Sequence, residues 1–376
     1  MKLAIVHQLP LEYYPPVTNF IDYSAAFDNV SVKAFSSHNQ RNRLPYVSSN
    51  ADLWRPNTNF CCKNRILKAI DRTFWHIKVA FKLNSFRPDA VLYFEPHSAL
   101  APYLYFRWLR GRAKLYIHHH EYYSPEDYLK SNNKSIRIAR KLESKYLFPR
   151  AKWISQTNLK RLELFFRDNP SLDAEKLHVL ANFPPKKWCE GENSAWKNDP
   201  ISSPLKLVYV GSVSRTDTHI ESLVQWVGGR NPNDVTLDIF AYQVDRSTAD
   251  FLRNLRQSNI RFHSNGIAYH DIPKTLREYH VGLILYKGNT VNFQHNATNK
   301  LFEYLACGLD VWYADGLQGV DPYQTRDSYP RVIPLKFDKL SLNKHQSLRS
   351  RSNLVHQPWI GSSEEEFSKL MQAIVN

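Results

Sequence analysis

At 376 residues and 43% hydrophobic content, the chain is too long for one ordinary core and suits two domains, each able to bury its own. Twelve Gly and 21 Pro are scattered without a low-complexity tract or solenoid repeat, and four Cys (Cys61, Cys62, Cys189, Cys307) make neither a disulfide framework nor a zinc-type CxxC spacing. The net charge of +15 is uneven: residues 1–200 hold 31 Lys and Arg against 18 Asp and Glu, and residues 201–376 hold 19 against 17. A basic half beside a near-neutral half points to an anionic partner for the first: nucleic acid, anionic lipid or a phosphorylated substrate.

The opening MKLAIVHQLP has a five-residue apolar run, which reads as a β-strand and not as a signal peptide. No run of 18 apolar residues offers a membrane span, and the cysteine usage fits a reducing, cytoplasmic setting. RILKAIDRTFWHIKVAFKL predicts a helix whose core face is Ile66, Ile70, Phe74, Ile77 and Phe81. DAVLYFEP and KLYIHHHE predict short buried strands, and KSIRIARKLESKYLF a strongly basic helix. AKWISQT predicts a strand, followed by a helix near 158–167 and a strand in KLHVLANF. This alternation implies parallel βαβ units. Residues 184–204 hold four Pro and no apolar period, and read as a linker.

A second α/β unit starts at LKLVYVGSVS. Its helix HIESLVQWV sets Ile220, Leu223, Val224 and Val227 on one face, and TLDIFAY, NIRFHSN and VGLILY predict strands. DIPKTLREY predicts a short helix capped by Asp271, and SSEEEFSKLMQAIV a final helix with Ser362 and Glu365 at capping-box spacing. The boundaries expected are 1–190, 204–345, and a C-terminal helix in 346–376 packing back toward the first domain.

After VGLILY comes a polar loop and then NKLFEYLACGLDV, with Thr298 at the N-cap and Gly308 as the C-terminal stop. Leu301, Phe302, Leu305 and Ala306 form the core face, and Glu303 lies on the other side. A helix N-terminus suits a phosphate, and a carboxylate one turn further in suits ribose hydroxyls. The spacing therefore fits a nucleoside diphosphate, with Lys300 adding charge near the phosphates. The alternative is a surface Glu303 paired with Lys300.

This helix resembles the nucleotide-sugar-binding helix of GT-B glycosyltransferases, especially those similar to the retaining family 4. The resemblance extends to LKLVYVGSVS, to GIAYHDIPKTLREYHVGLILYK, and in the first domain to YIHHHEYYSP. It implies an α/β chain of GT-B architecture, two Rossmann-like doubly wound domains facing across a cleft. It implies Glu303 at the ribose and Thr298, Asn299 and Lys300 at the diphosphate. Gly211 would let the chain pass close to the phosphates, and Ile267 and Ala268 would approach the base. Tyr286 and Lys287 would stand beside the donor, and His120 would contact the sugar. The chain departs from the family pattern at Ser212 and Thr218 in the Gly loop, with Arg215 a substitute for the missing charge. It departs again at His295, eight positions before Glu303, and at Asp310, where Pro is usual.

The implied reaction is transfer of a sugar from a nucleotide-diphosphate donor, a UDP-sugar favoured, to a lipid-linked or oligosaccharide acceptor in cell-surface glycan synthesis. No cofactor is expected beyond that donor. Retention of configuration is favoured over inversion; an inverting reaction would need a base from His120, Glu121, His7 or Glu95. No Asp-x-Asp occurs, which favours a metal-independent mechanism with Lys300 stabilising the leaving phosphate. His118 and His120 share one strand face and His119 takes the other, so no metal site is expected in HHHE. Basic residues beside aromatics (Lys63, Arg65, Lys68, Arg72, Lys78, Lys82 and Arg87; Arg107 to Lys114; Lys130 to Lys145) suit an anionic membrane at its inner face, or plain solvated helix faces. The other readings are a GT-B-like sugar-nucleotide epimerase, an inactive sugar-binding relative, and a basic nucleic-acid-binding protein, for which no recognition motif appears.

Overall fold

The computed structural model describes residues 1–38, 45–56, 65–130, 134–202, 204–242, 244–340 and 349–376. Cys61, Cys62 and Lys63 lie outside them, as do the side chains of Arg65, Lys68 and Lys130. The chain divides into two compact units, Met1–Asn182 with Ser363–Asn376, and Phe183–Ser362.

The first unit is built on a parallel sheet of β1 (Lys2–Val6), β2 (Ser31–Phe35), β3 (Asp52–Trp54), β4 (Ala90–Phe94), β5 (Lys114–His119), β6 (Trp153–Gln156) and β7 (Leu177–Val179). Their order is β3-β2-β1-β4-β5-β6-β7, with Ile5 of β1 opposite Leu92 of β4. Leu3 and Ile5 feed one core and Ala4 and Val6 the other, which is why β1 is apolar at successive positions. Helix α1 (Pro15–Ala25) closes the first core with Val17, Phe20 and Ile21. The second core lies under α2 (Arg65–Phe86), α3 (Leu100–Arg107), α5 (Lys134–Leu142), α6 (Phe148–Arg150) and α7 (Leu159–Asp168); α4 (Pro125–Lys130) packs on α5. A single π-helical turn, Glu143–Leu147, joins α5 to α6.

Helix α2 forms where its period predicts, but the opposite face is buried. Trp75, Val79, Ala80 and Leu83 enter the core. Ile66, Ile70, Phe74, Ile77 and Phe81 stand outward, with Ile66 70% and Phe74 56% exposed. The helix carries two apolar faces, and periodicity alone does not say which one meets the sheet.

The second unit has a parallel sheet of β8 (Leu205–Val210), β9 (Val235–Phe240), β10 (Ile260–His263), β11 (Val281–Ile284), β12 (Asp310–Ala314) and β14 (Val332–Leu335), in the order β10-β9-β8-β11-β12-β14. The two-residue strands β13 (Ser328–Tyr329) and β15 (Val355–His356) pair apart from it. Its helices are α8 (Ile220–Gly228), α9 (Arg246–Arg253), α10 (Ile272–Leu276), α11 (Val291–Gln294) and α12 (Asn299–Ala306). Ile220, Leu223, Val224 and Val227 of α8 are buried, as their spacing predicts. The Pro-rich span read as a linker is packed instead: Trp188 is fully buried in this unit's core, and Asn193 Nδ2 donates to the carbonyls of Tyr279 and Cys307.

Asp310 has a structural role. Its carboxylate accepts from Arg331 Nε at 2.8 Å and from an Arg351 guanidinium nitrogen at 3.0 Å, all three side chains buried. One carboxylate compensates two buried guanidinium groups, and a proline at 310 would leave both without that partner. Helix α13 (Ser363–Val375) returns to the first unit, where Phe367 meets Phe20 edge-on at 5.2 Å and Glu366 accepts the Ala181 N–H. Among the described residues no helix is long and apolar enough to cross a membrane.

Candidate active site

Each sheet reverses its strand order once, at β1/β4 in the first unit and β8/β11 in the second. At such a switch point the connections leave to opposite sides and open a crevice at the C-terminal strand ends, where open α/β sheets take ligands.

In the second unit Gly211 directly follows β8, and its φ is +127°. A Cβ there would lie 2.6 Å from Lys300 Cε and 2.8 Å from its Nζ, so the lysine occupies the space a side chain at 211 would need. Lys300 Nζ donates to the Tyr286 hydroxyl at 2.8 Å and lies 5.0 Å from that ring's centre. Tyr286, just past β11, is stacked on Phe293 at 5.1 Å and bridges backbone to Thr218. Burial works against the Lys300 ammonium, but Tyr286 and Glu303 outweigh it and hold its pKa above the usual lysine value.

Thr298 takes the N-cap position of α12 in an extended conformation, and its side chain makes no capping bond. That side chain therefore leaves the Asn299 and Lys300 N–H groups uncapped, while the Leu301 N–H goes to the Thr298 carbonyl at 3.0 Å. The far end closes as expected: Gly308 has φ +73°, its N–H reaches the Leu305 carbonyl, and Leu309 N–H reaches that of Tyr304. Glu303 sits one turn inside. It is not on the solvent side, as the pattern suggested, but only 8% exposed. Burial raises its pKa to about 7 against the opposing pull of Lys300. Lys300 and Glu303 act on each other electrostatically, but Glu303 is buried, so they are not a surface pair.

The neighbouring residues divide. Lys287 donates from Nζ to the Arg215 carbonyl at 2.8 Å, tying the strand end to the Gly211 loop. The Arg215 guanidinium is committed to Glu221, Nε to Oε1 at 2.6 Å, and does not join Lys300. Gly266 has φ +64°, with Tyr242 packed 3.0 Å from where its Cβ would stand. Ile267 after it is half-buried against the core and Ala268 is exposed. His295 is buried at the C-terminal end of α11.

In the first unit His7 follows β1, Glu95 follows β4, and His120 follows β5. Glu95 is a non-glycine residue at φ +66°, a strained conformation that sites tend to hold. Its Oε1 accepts the His120 N–H at 2.5 Å and lies 3.2 Å from His120 Nδ1. Burial alone would raise this carboxyl, but the His120 hydrogen bonds and the charges of His120 and His119 hold it down at about 2. Arg161, fully buried, donates to the His120 carbonyl at 2.6 Å and reaches Glu121 at 3.4 Å. Glu95 Oε2, His120 Nε2, both ring nitrogens of His7 and both side-chain polar atoms of Gln156 are buried and have no hydrogen-bond partner among the described residues. Burial, with His120 beside it, lowers the His7 pKa to about 3. As strand alternation requires, the rings of His118 and His120 meet at 4.5 Å, whereas His119 turns away to Glu143 at 3.0 Å. Among the described residues no group of three His, Cys, Asp or Glu side chains is arranged to hold a metal ion.

Sequence reasoning missed Arg161 and Gln156. Neither stands in a motif, and a strand-end glutamine carries no signal until the sheet order is known.

No family model and no curated protein matches the chain. Among solved structures it is similar to the lipopolysaccharide outer core galactosyltransferase WaaB in its apo form, at TM-score 0.59 and 13% identity, over 100% of this chain and 99% of that one. HepE of Anabaena in complex with UDP-glucose matches at TM-score 0.64 and 12% identity, over 100% and 97%. Sucrose-phosphate synthase from Thermosynechococcus elongatus matches at TM-score 0.62 and 12% identity, over 100% and 95%. The neighbours are GT-B glycosyltransferases, and likeness at these identities establishes the fold. The chain has the GT-B fold, two doubly wound parallel-sheet units.

Proposed function

We propose that the chain is a glycosyltransferase that moves a sugar from a nucleoside-diphosphate donor, a UDP-sugar first, to a lipid-linked or oligosaccharide acceptor of cell-surface glycan synthesis. The observation that carries the reading is the constellation at the β8/β11 switch point. Gly211 has no Cβ, Lys300 lies in the space this leaves, α12 starts without a side-chain cap, and Glu303 is buried one turn on. UDP and UDP-glucose, each bound in a solved neighbour of the same fold, support the choice of base.

In this assignment the N–H groups of Asn299 and Lys300, with Thr298, take the diphosphate. Glu303 takes the ribose, and Ile267 and Ala268 approach the base. Tyr286 places the Lys300 ammonium, and His295 and Lys287 border the donor; Arg215, held by Glu221, is not given a phosphate. As the bond from the sugar to the diphosphate breaks, charge grows on the leaving phosphate. Lys300 and the helix start stabilise it from fixed positions, without a divalent cation. Retention needs no carboxylate nucleophile, because the departing phosphate can deprotonate the acceptor. In the first unit itself, Glu95 orients His120 and Arg161 holds Glu121, the two residues there proposed for a role in transfer. The basic balance of residues 1–200 supports an anionic membrane as partner, with the protein peripheral on its inner face.

A thermal-shift panel of UDP, GDP, CMP and dTDP tests the donor. At 100 times its dissociation constant UDP should add about 2.7 kcal/mol of stability, and the others less. No shift with any of the four would remove the reading.

A further inference from the structure

Helix α2 has an apolar stripe that its own unit does not use. Ile70, Phe74, Ile77 and Phe81 recur at i, i+4, i+7 and i+11, and all four face solvent, with Phe81 60% exposed. Trp75, Val79 and Leu83, on the opposite face, already seal the helix against the sheet, so the outer stripe is not needed to hold α2 in place. Helix α3 packs beside α2, and α5 beside α3, so the three form one layer. Its outer surface continues in Trp108, just past α3 and 73% exposed, and in Ile138 of α5.

The same layer is basic. Residues 65–87 hold six Lys and Arg against Asp71, residues 100–114 hold four against no acid, and residues 134–150 hold six against Glu143. Glu143 is buried, bonded to Tyr93 and His119, and offers the surface no charge. Lys78, Arg107, Arg137 and Lys141 are exposed. Large apolar side chains in a row mark a surface that something covers. A second copy of this chain would set one basic face against another, and like charge opposes that pairing. An anionic bilayer complements both properties at once: acyl chains accept the stripe and headgroup phosphates accept the cations.

We infer that the outer face of the α2–α3–α5 layer is seated on an anionic lipid bilayer, with α2 lying in the interface plane and Ile70, Phe74, Ile77 and Phe81 entering the acyl boundary. This deepens the membrane reading above by naming its face and its apolar component. It is independent of the donor assignment, which the UDP thermal shift reports separately.

The test is co-sedimentation of the full chain with phosphatidylglycerol-containing vesicles and with pure phosphatidylcholine vesicles. Binding to the anionic vesicles should be at least about tenfold stronger, and salt should weaken it. The double variant Phe74→Ser/Phe81→Ser should lose about tenfold or more of that binding while keeping the wild-type UDP shift and melting temperature. Ile70→Ser/Ile77→Ser, on the same stripe, should repeat the loss and guards against a folding defect in either variant. Equal binding to both vesicle types, unchanged binding in both variants, or a dimer that the Ser variants dissociate while vesicle binding persists would overturn the inference.

Discussion

Glu303 costs the folded chain stability, and that cost has a sign that can be measured. Its carboxyl titrates near 4.5 when unfolded and at about 7 when folded, because burial disfavours the charge. Between those values the folded state holds the extra proton, so this residue's contribution falls as pH rises from about 4.5 to about 7. Glu303→Gln removes the penalty. At pH 8 the variant should therefore melt higher, by up to about 3 kcal/mol at 1.36 kcal/mol per pKa unit. If the carboxylate holds ribose hydroxyls, UDP affinity should drop about ten- to hundredfold in the same variant, the worth of a charged hydrogen bond. Wild-type affinity should also rise between pH 6 and pH 8 as the group ionises. Melts and titrations across that range check all three. A variant that loses stability and keeps its UDP affinity would mark Glu303 as a core residue and nothing more.

At the scale of elements, the turn from β8 toward α8 is the most constrained piece of the site. Gly211 combines φ +127° with a Cβ position that Lys300 fills. Gly211→Ala should cost about 1–3 kcal/mol in backbone strain and push Lys300 off the Tyr286 hydroxyl. UDP binding should then fall in Gly211→Ala more than in a control with equal loss of stability elsewhere in the second unit. An unchanged UDP affinity would mean that Lys300 does not need its present position.

Elements also show what one sequence discloses. The strands β1, β4, β5, β8, β9 and β11 are legible as short, largely apolar runs, and β4 and β5 also end in polar residues. α8 was legible from a single apolar face, and α12 from its Gly308 stop. β2 and β3 were not, since SVKAF and DLW are short and hold polar residues. α2 was legible as a helix but inverted, because both its faces are apolar and only the sheet beneath decides between them. A carboxylate that breaks an apolar pattern points outward by that pattern, although the fold buries Glu303 all the same. The strain at Glu95 and the two-arginine grip on Asp310 come from residues far apart in the chain, and no local pattern encodes them.

For the whole molecule, the alternation of strands and helices was enough to reach two doubly wound units. The candidate site in each unit lies where strand order reverses, and that order exists only once the chain has folded. The central claim is that the second unit binds a nucleoside diphosphate and that Lys300 serves the charge on its leaving phosphate. UDP carries that charge, whereas a UDP-sugar carries less of it, so a residue that acts in the transition state should favour UDP. The most direct measurement is calorimetric titration of UDP and of a UDP-sugar, in a strong chelator, into wild type and Lys300→Ala. Wild type should bind both without a divalent cation, and Lys300→Ala should weaken UDP about ten- to hundredfold and the UDP-sugar distinctly less. Binding abolished by the chelator, or equal losses for the two ligands, would contradict it.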